Sequence, residues 1–154
     1  MSAEKPITRR KATSKQIVPQ DLMPGKLPPQ AVDLEEAVLG ALMLDKNAVA
    51  EVIDLLHEDC FYKDANQKIF HAIHTLFHQT QPVDILTVTQ QLRKTGELEI
   101  AGGALYITQL TNRVASAANI EFHARIVLQK YIQRELIRIS SDVIRDAYEE
   151  TSDV

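Results

Sequence analysis

The sequence from Asn119 to about Glu150 contains neither Gly nor Pro. Gly and Pro are the residues that interrupt helices most strongly, so their absence over this length is typical of an extended helical element. The pattern leaves two alternatives open. The stretch forms one long helix, or it forms two helices joined at Ser140-Ser141, its softest point.

Apolar residues in this stretch follow two lines along a helix. The first line advances by steps of three and four residues, and it comprises Leu128, Ile132, Leu136, Ile139, Val143 and Ala147. The second line falls about 120–160° further round the same helix, and it comprises Ile126, Ile137, Ile144 and Tyr148. The chain's own helices can cover one line, and the second then needs a partner. We therefore predict an oligomer interface on these residues except Ala147. A single buried helix in a monomeric bundle is the alternative.

The preceding sequence divides into a leader and a helical head. Residues 1–30 contain five of the six prolines and show little apolar periodicity, so they are predicted to form a leader. Helical patterns then follow one another over residues 31–113. Asp33 and Glu36 are candidates for a capping box at the first helix, and Ala31 is the alternative start. Asp84 is predicted to cap a helix that Gly96 ends.

No segment alternates with a period of two for long enough to predict a strand. The prediction is an all-α protein, with a compact multi-helix head followed by a long C-terminal helical element over residues 114–150. A second helix is expected to carry Val49, Val52, Ile53 and Leu56. The segment His57 to Tyr62 is expected to be a loop with two aromatic side chains in the core.

Charge is distributed unevenly along the 154 residues. Residues 1–26 carry six basic and two acidic side chains, which leaves 11 basic and 19 acidic for the remainder. An acidic body is a poor candidate for wrapping nucleic-acid phosphates. The basic leader could contact phosphates or an acidic partner, or it could simply be solvated. No apolar run reaches the roughly 20 residues of a membrane span, and the single Cys60 fits a reducing compartment.

Candidate catalytic and binding chemistry is weak throughout. Only Gly25 among the five glycines is followed by Lys, and the motif that cradles phosphates is absent. Glu35 and Glu36 are adjacent and are expected to point to different helix faces, which does not suit acid–base work. Cys60 has no feature that would lower its pKa and is expected to be an ordinary semi-buried thiol. The sequence thus predicts no catalytic site, no cofactor and no metal site.

Three histidines form the strongest candidate for a metal-binding site in the sequence. His71, His74 and His78 share one helical face at a spacing that can bind zinc or copper. The same spacing places them opposite the apolar residues of their helix, facing water. We interpret them as a solvated polar face, and a metal-binding helical domain remains the alternative.

Several motifs occur in an order and spacing that point to one family. The first motifs are Leu27-Pro-Pro-Gln30, Glu35 to Gly40, and Phe61-Tyr62 before Ile69-Phe70. Pro82-Val83-Asp84 follows, and Gly96-Glu97-Leu98 then precedes Gly102-Gly103 and Tyr106. The last motif is Val114 to Glu121, which precedes Ala124 to Val127. From about residue 27 to residue 150 the chain resembles the N-terminal domain of the bacterial replicative DNA helicase, the DnaB family. It departs from the family pattern at three positions. Ala31 stands where a capping Ser or Asn is usual, and Lys46 and Ala115 each stand where a Pro is usual.

The resemblance implies a head and a helical hairpin whose pairing builds a trimer-of-dimers collar on a hexameric ring. It implies docking of primase, an influence of a helicase loader, and a bacterial cytoplasmic location. The family's ATPase, with its ATP, Mg and DNA contacts, is expected downstream of the linker that begins at residues 151–154. The chain itself is expected to be non-catalytic. A stand-alone helicase- or primase-interaction domain, similar to the helicase-binding domain of primase, is the alternative.

Overall fold

The computed structural model describes residues 25–114 and 116–149, and the regular secondary structure in these ranges is entirely helical. The elements in chain order are α1 (Val32–Leu44), α2 (Ala48–Val52), a 3-10 turn (Glu58–Cys60), α3 (Asp64–His78), α4 (Ile85–Thr95), α5 (Gly103–Asn112) and α6 (Ile120–Tyr148). The all-α prediction is confirmed. The predictions for residues 1–24, for Ala115 in the connector and for the linker at 151–154 lie outside the described residues.

Helices α1 to α5 and their connections form the head, and α1 lies at its centre. Helix α1 packs against α3, α5 and α6, and the largest fully buried side chains of the core come from several of these elements. They include Leu39, Leu42, Phe61, Phe70 and Ile73. Phe61 is fully buried as predicted, whereas Tyr62 is only half-buried, so one of the two aromatics of this loop enters the core.

Glycine is required where α1 crosses α5. A Cβ atom on Gly40 would lie 2.3 Å from the backbone oxygen of Leu110. No side chain fits in that space, because real Cβ atoms do not approach another atom so closely. Gly40 therefore sets how closely the central helix of the head and α5 can pack.

The ends of α4 are fixed by local sequence. The Asp84 side chain accepts a hydrogen bond from Thr87 N at 2.8 Å, and the Thr87 hydroxyl accepts one from Asp84 N at 3.0 Å. These two bonds satisfy backbone donors at the start of the helix. Gly96 ends the helix in the left-handed conformation at φ 75°. Both predictions for this helix are confirmed, because the cap residues act on neighbours in sequence.

Two other helix boundaries differ from the predictions. Helix α1 begins after Ala31, and no side chain caps it, so the predicted Asp33–Glu36 capping box does not form. The Glu36 carboxylate is instead engaged with side chains from distant parts of the chain. Helix α2 ends at Val52, and Ile53 lies in the turn that follows.

Residues 120–148 form a single helix of 29 residues. Of the two alternatives left open by the sequence, the uninterrupted helix is the one observed, and Ser140-Ser141 does not break it. The Ser141 hydroxyl donates to the Ile137 carbonyl at 2.8 Å, one turn back, and so it fits within the helix. The hairpin that the resemblance implies is therefore not formed within residues 120–148. In the described residues, no helix is long and apolar enough to cross a membrane.

Candidate interaction surface on the long helix

The first half of α6 is part of the core of the protein. Ile120, Ala124 and Val127 are buried, and the helix packs against α1, α2 and the 3-10 turn. These three residues recur at steps of three and four, so they form one line along the helix. The line faces the head, and its burial fixes this half of α6 in place.

Arg134 marks the end of this contact. Its guanidinium donates to the carbonyl oxygens of Pro29 at 2.8 Å and of Cys60 at 2.9 Å. The same group lies over the rings of Tyr62 and Tyr131, with distances of 5.6 and 5.9 Å to the ring centroids. Hydrogen bonds from a charged donor are stronger than neutral ones. Arg134 therefore fastens the middle of α6 to the head.

Beyond Arg134, the side of α6 that faced the head becomes charged. Arg138 Nη2 lies 3.0 Å from Glu135 Oε2, and its Nη1 lies 3.0 Å from Asp142 Oδ2. Arg145 Nη2 lies 3.0 Å from the other oxygen of Asp142. These pairs connect successive turns of one helix and hold no other element. We call residues 135–148 the distal segment.

The predicted interface residues lie mainly on the exposed part of α6. Leu128 packs partly buried against the core, and Ile126 and Ile144 have intermediate exposure. The large side chains that are about half or more exposed follow, with the exposed fraction of each: Ile132 48%, Leu136 60%, Ile137 55%, Ile139 49%, Val143 62% and Tyr148 55%. Both lines therefore have exposed residues in the distal segment, and the oligomer interface on them stays a prediction.

The reason is geometric. At about 100° per residue, the apolar residues of the distal segment, from Ile139 round to Tyr148, occupy a sector of roughly 180°. The charged residues Glu135, Arg138 and Asp142 lie on the remaining side, in line with the buried residues of the first half. The side of the helix that is buried against the head in its first half therefore continues as the charged side, and the apolar sector of the distal segment lies on the opposite side.

The sequence analysis missed Phe122, a further residue of this exposed surface. Its ring is 65% exposed on the first turn of α6. At about 100° per residue it falls within roughly 40° of Ile126, so it extends the second line towards the helix start. The step of four residues from Phe122 to Ile126 was the signal that would have identified it.

Three buried polar side chains and three more exposed ones form a network in the head that the sequence pattern did not reveal. Its members are Glu35, Glu36, Lys63, Asn66, Tyr106 and Arg113. Glu35 is 1% exposed and accepts hydrogen bonds from Tyr62 N at 2.7 Å and from Asn66 Nδ2 at 2.9 Å. Its carboxylate thereby satisfies the backbone just before α3.

Glu36 is held on the other side of the same network. Its carboxylate is paired with Arg113 and with Lys63 Nζ at 3.4 Å, and it lies 3.1 Å from the Tyr106 hydroxyl. That hydroxyl is also 2.7 Å from Asn66 Oδ1. The two glutamates, expected to point to different faces, are therefore connected through Asn66 and Tyr106. Buried polar groups need such partners, because an unpaired one is costly.

The environment of the network shifts two pKa values. Burial raises the pKa of the Tyr106 hydroxyl, and the hydrogen bond from Lys63 opposes this effect. The bond to Tyr106 is the main cause that raises the pKa of Lys63. Both shifts keep the protons on their groups at neutral pH. The network thus joins α1, α3 and α5 as a structural element, and none of its groups is arranged as an acid–base pair.

The other candidate residues of the sequence analysis form no catalytic or closed metal site. Cys60 is completely buried, and that burial raises the pKa of its thiol. His71 and His78 are exposed, and His74 is partly buried. Partial burial, followed by the charges of His78 and His71, lowers the pKa of His74. Across residues 25–114 and 116–149, no three His, Cys, Asp or Glu side chains are grouped to hold a metal ion.

Fold and surface together define a class, an all-α domain with a packed head and one long helix whose second half carries an exposed apolar surface on one side. The family described as "DnaB-like helicase N terminal domain" matches residues 27–129. The chain belongs to this family, as the motifs of the sequence indicated.

Known relatives agree with this membership. The chain is 44% identical over 147 residues to the replicative DNA helicase DnaB of Rhodothermus marinus, which is 96% of this chain and 16% of that protein. It is 42% identical over 134 residues to the replicative DNA helicase DnaC of Bacillus subtilis, covering 87% of this chain and 30% of the relative. This chain thus spans less than a third of the length of either relative.

A solved structure has the same fold. The crystal structure of the N-terminal domain of DnaB helicase from Mycobacterium tuberculosis is similar, with a TM-score of 0.79 and 36% sequence identity. The similarity covers 82% of this chain and 90% of that one. The similarity therefore extends over nearly all of a domain that was solved as a separate unit.

Proposed function

We propose that this chain is the N-terminal part of a bacterial replicative DNA helicase and acts there as a non-catalytic assembly and docking domain. Family membership and the helicase names of its relatives support the parent activity. In this proposal, ATP, Mg and DNA are bound by a motor domain in the rest of the parent protein, which works in the cytoplasm. A lack of ATP turnover by the chain alone is the corresponding expectation. Turnover that survives repurification and a mock-expression control would contradict it.

The apolar surface of the distal segment is the observation that carries the assembly role. Leu136, Ile137 and Val143 are each more than half exposed in the distal segment. A monomeric protein rarely exposes a large contiguous apolar surface. We propose that copies of the chain cover this surface for one another, pairing first as dimers that assemble into the collar of a hexameric ring.

Charge substitutions on the second apolar line test this role. We expect Ile137→Glu and Ile144→Glu each to weaken self-association strongly, because burying a Leu or Ile contributes roughly 1.5–3 kcal/mol and a charge adds a desolvation cost. Sedimentation velocity over a range of concentrations measures the effect, with circular dichroism to confirm helicity.

Arg145→Glu is the matched control for these substitutions. It places the same side chain one residue from Ile144, on the charged side of the helix, and it changes the net charge by twice as much. We expect it to assemble like the wild type. A wild type that stays monomeric at high concentration, or Ile137→Glu and Ile144→Glu chains that assemble normally, would refute the proposed interface.

Docking of primase is the second part of the proposal, and we assign it to the folded body rather than to the basic leader. The family match begins at residue 27, after the leader. A parent helicase beginning at Lys26 should therefore bind its cognate primase as tightly as the full-length ring does. Loss of binding on this truncation alone would move the docking site to residues 1–25. A helicase loader is expected to act on the same assembly.

A further inference from the structure

The solvent side of α3 brings two imidazoles together in its last turns. His74 Nε2 lies 3.0 Å from His78 Nε2, and the ring planes are inclined at 68° with centroids 4.2 Å apart. The residues are four apart, so the helix itself places them on adjacent turns of one face. The two nitrogens lie within hydrogen-bond distance, so one ring donates to the other, with the roles set by the tautomers.

The separation of the two nitrogens is that of a chelating pair. A divalent transition metal binds histidine nitrogen at about 2.0–2.1 Å. Two such bonds to atoms 3.0 Å apart enclose an angle of roughly 95° at the metal. This angle is close to the right angle between neighbouring ligands in tetragonal coordination, and it is smaller than the tetrahedral angle that zinc prefers.

We propose that His74 and His78 form a surface binding site for a divalent metal of tetragonal preference, Cu²⁺ or Ni²⁺. Neutral imidazole is a good ligand for both ions, and Cu²⁺ binds nitrogen sites most tightly of the first-row divalent metals. The pair supplies two adjacent ligands. His78 is exposed and His74 partly so, which leaves the remaining positions of the metal to water.

His71 does not take part in this site. Its Nδ1 lies 2.8 Å from Glu58 Oε2, so its ring is oriented towards the 3-10 turn. The proposed site therefore has two histidine ligands and not three. A metal held by His74 and His78 spans adjacent turns at the end of α3 and binds only when that turn is helical. Binding therefore raises the stability of the folded protein.

Titration of the untagged full-length chain with Cu²⁺ in a weakly coordinating buffer tests the site. We expect one Cu²⁺ per chain by calorimetry, with an axial paramagnetic-resonance spectrum that shows nitrogen ligands. Ni²⁺, a redox-inert probe, should raise the midpoint of thermal unfolding. His74→Gln and His78→Gln should each reduce the affinity to that of the chain carrying both changes.

Two controls make the result decisive. His71→Gln and His123→Gln should bind Cu²⁺ like the wild type, and circular dichroism should show that all variants remain folded. If the wild type binds no more tightly than the doubly substituted chain, the site does not exist. If His71→Gln reduces affinity as much as His74→Gln does, the ligand set is wrong.

Discussion

Leu39 and Leu136 are the same residue type in the same secondary structure, but their surroundings are opposite. Leu39 in α1 is completely buried, whereas Leu136 in the distal segment of α6 is 60% exposed. Around Leu39, neighbouring helices supply apolar contacts on every side. The side chain of Leu136, in contrast, is mostly open to solvent. The head therefore carries its stability in its own packing, and the distal segment lacks the packing that usually stabilises a helix.

Local interactions do not replace the missing neighbours. The distal segment is roughly four helical turns long, and a helix of that length is marginal in water by itself. Its ion pairs join side chains that are about one-third to two-thirds exposed. Exposed pairs within a helix contribute little and are screened by salt. The continuous connection to the packed half of α6 is thus what holds the distal segment in helical form.

The same substitution at these two leucines should give the largest difference. Leu39→Ala removes buried methyl groups and leaves a cavity, so we expect a loss of about 2–5 kcal/mol in the free energy of unfolding. Leu136→Ala should change it by less than about 0.5 kcal/mol in the monomer, since surface changes are usually small. Urea unfolding at a concentration that favours the monomer measures both.

At a protein concentration at which the chain self-associates, the two substitutions should act in different ways. Leu136→Ala should then weaken self-association, while Leu39→Ala should act mainly through unfolding. A Leu136→Ala chain that loses as much stability as Leu39→Ala in the monomer would show that the distal segment already has a partner within its own chain.

The sequence was most informative where a local signal sets the structure. Asp84 and Gly96 act on residues within one turn, so both ends of α4 were predicted correctly. The break-free stretch from Asn119 likewise predicted an extended helical element. The two apolar lines on α6 could be read from spacing alone, because a helix fixes the angle between residues.

The sequence pattern did not predict the tertiary interactions. Glu36 satisfies the spacing of a capping box with Asp33, yet its partner Arg113 lies 77 positions away. Nothing in the local sequence indicates that pairing, or that Asn66 is completely buried between Glu35 and Tyr106. For the same reason, periodicity revealed both apolar lines of α6 without showing how much of each is exposed.

Neutralising one carboxylate in each region should give the next largest difference. Glu36→Gln keeps the side-chain shape but removes the charge of a carboxylate that is only 9% exposed and that pairs with the more exposed Arg113 and Lys63. We expect a loss of about 1–3 kcal/mol in the free energy of unfolding, in the range for hydrogen bonds to charged groups.

Asp142→Asn is the matched change in the distal segment, where it removes the partner of Arg138 and Arg145. Because those pairs are exposed, we expect stability within error of the wild type. Urea unfolding of both variants at low and high salt measures the contrast. Equal losses at the two positions would mean that the polar network of the head adds no more than a surface ion pair.

The smallest expected effect is a pH response confined to the head. Partial burial of His74, with the charges of His78 and His71 beside it, lowers its pKa below the usual value, while Glu58 opposes the shift. The folded protein therefore binds this proton less readily than the unfolded chain does, so stability is retained above pH 6.5 and declines as the pH falls below it. Because His74 is only partly buried, we expect a modest fall in the urea midpoint between pH 7.5 and pH 5.5, measured in EDTA to exclude bound metal.

His74→Gln should reduce the fall, and His123→Gln on α6 should leave it unchanged. A fall of equal size in the His74→Gln chain would place the responsible proton elsewhere, and the pH response would then not distinguish α3 from the rest of the molecule.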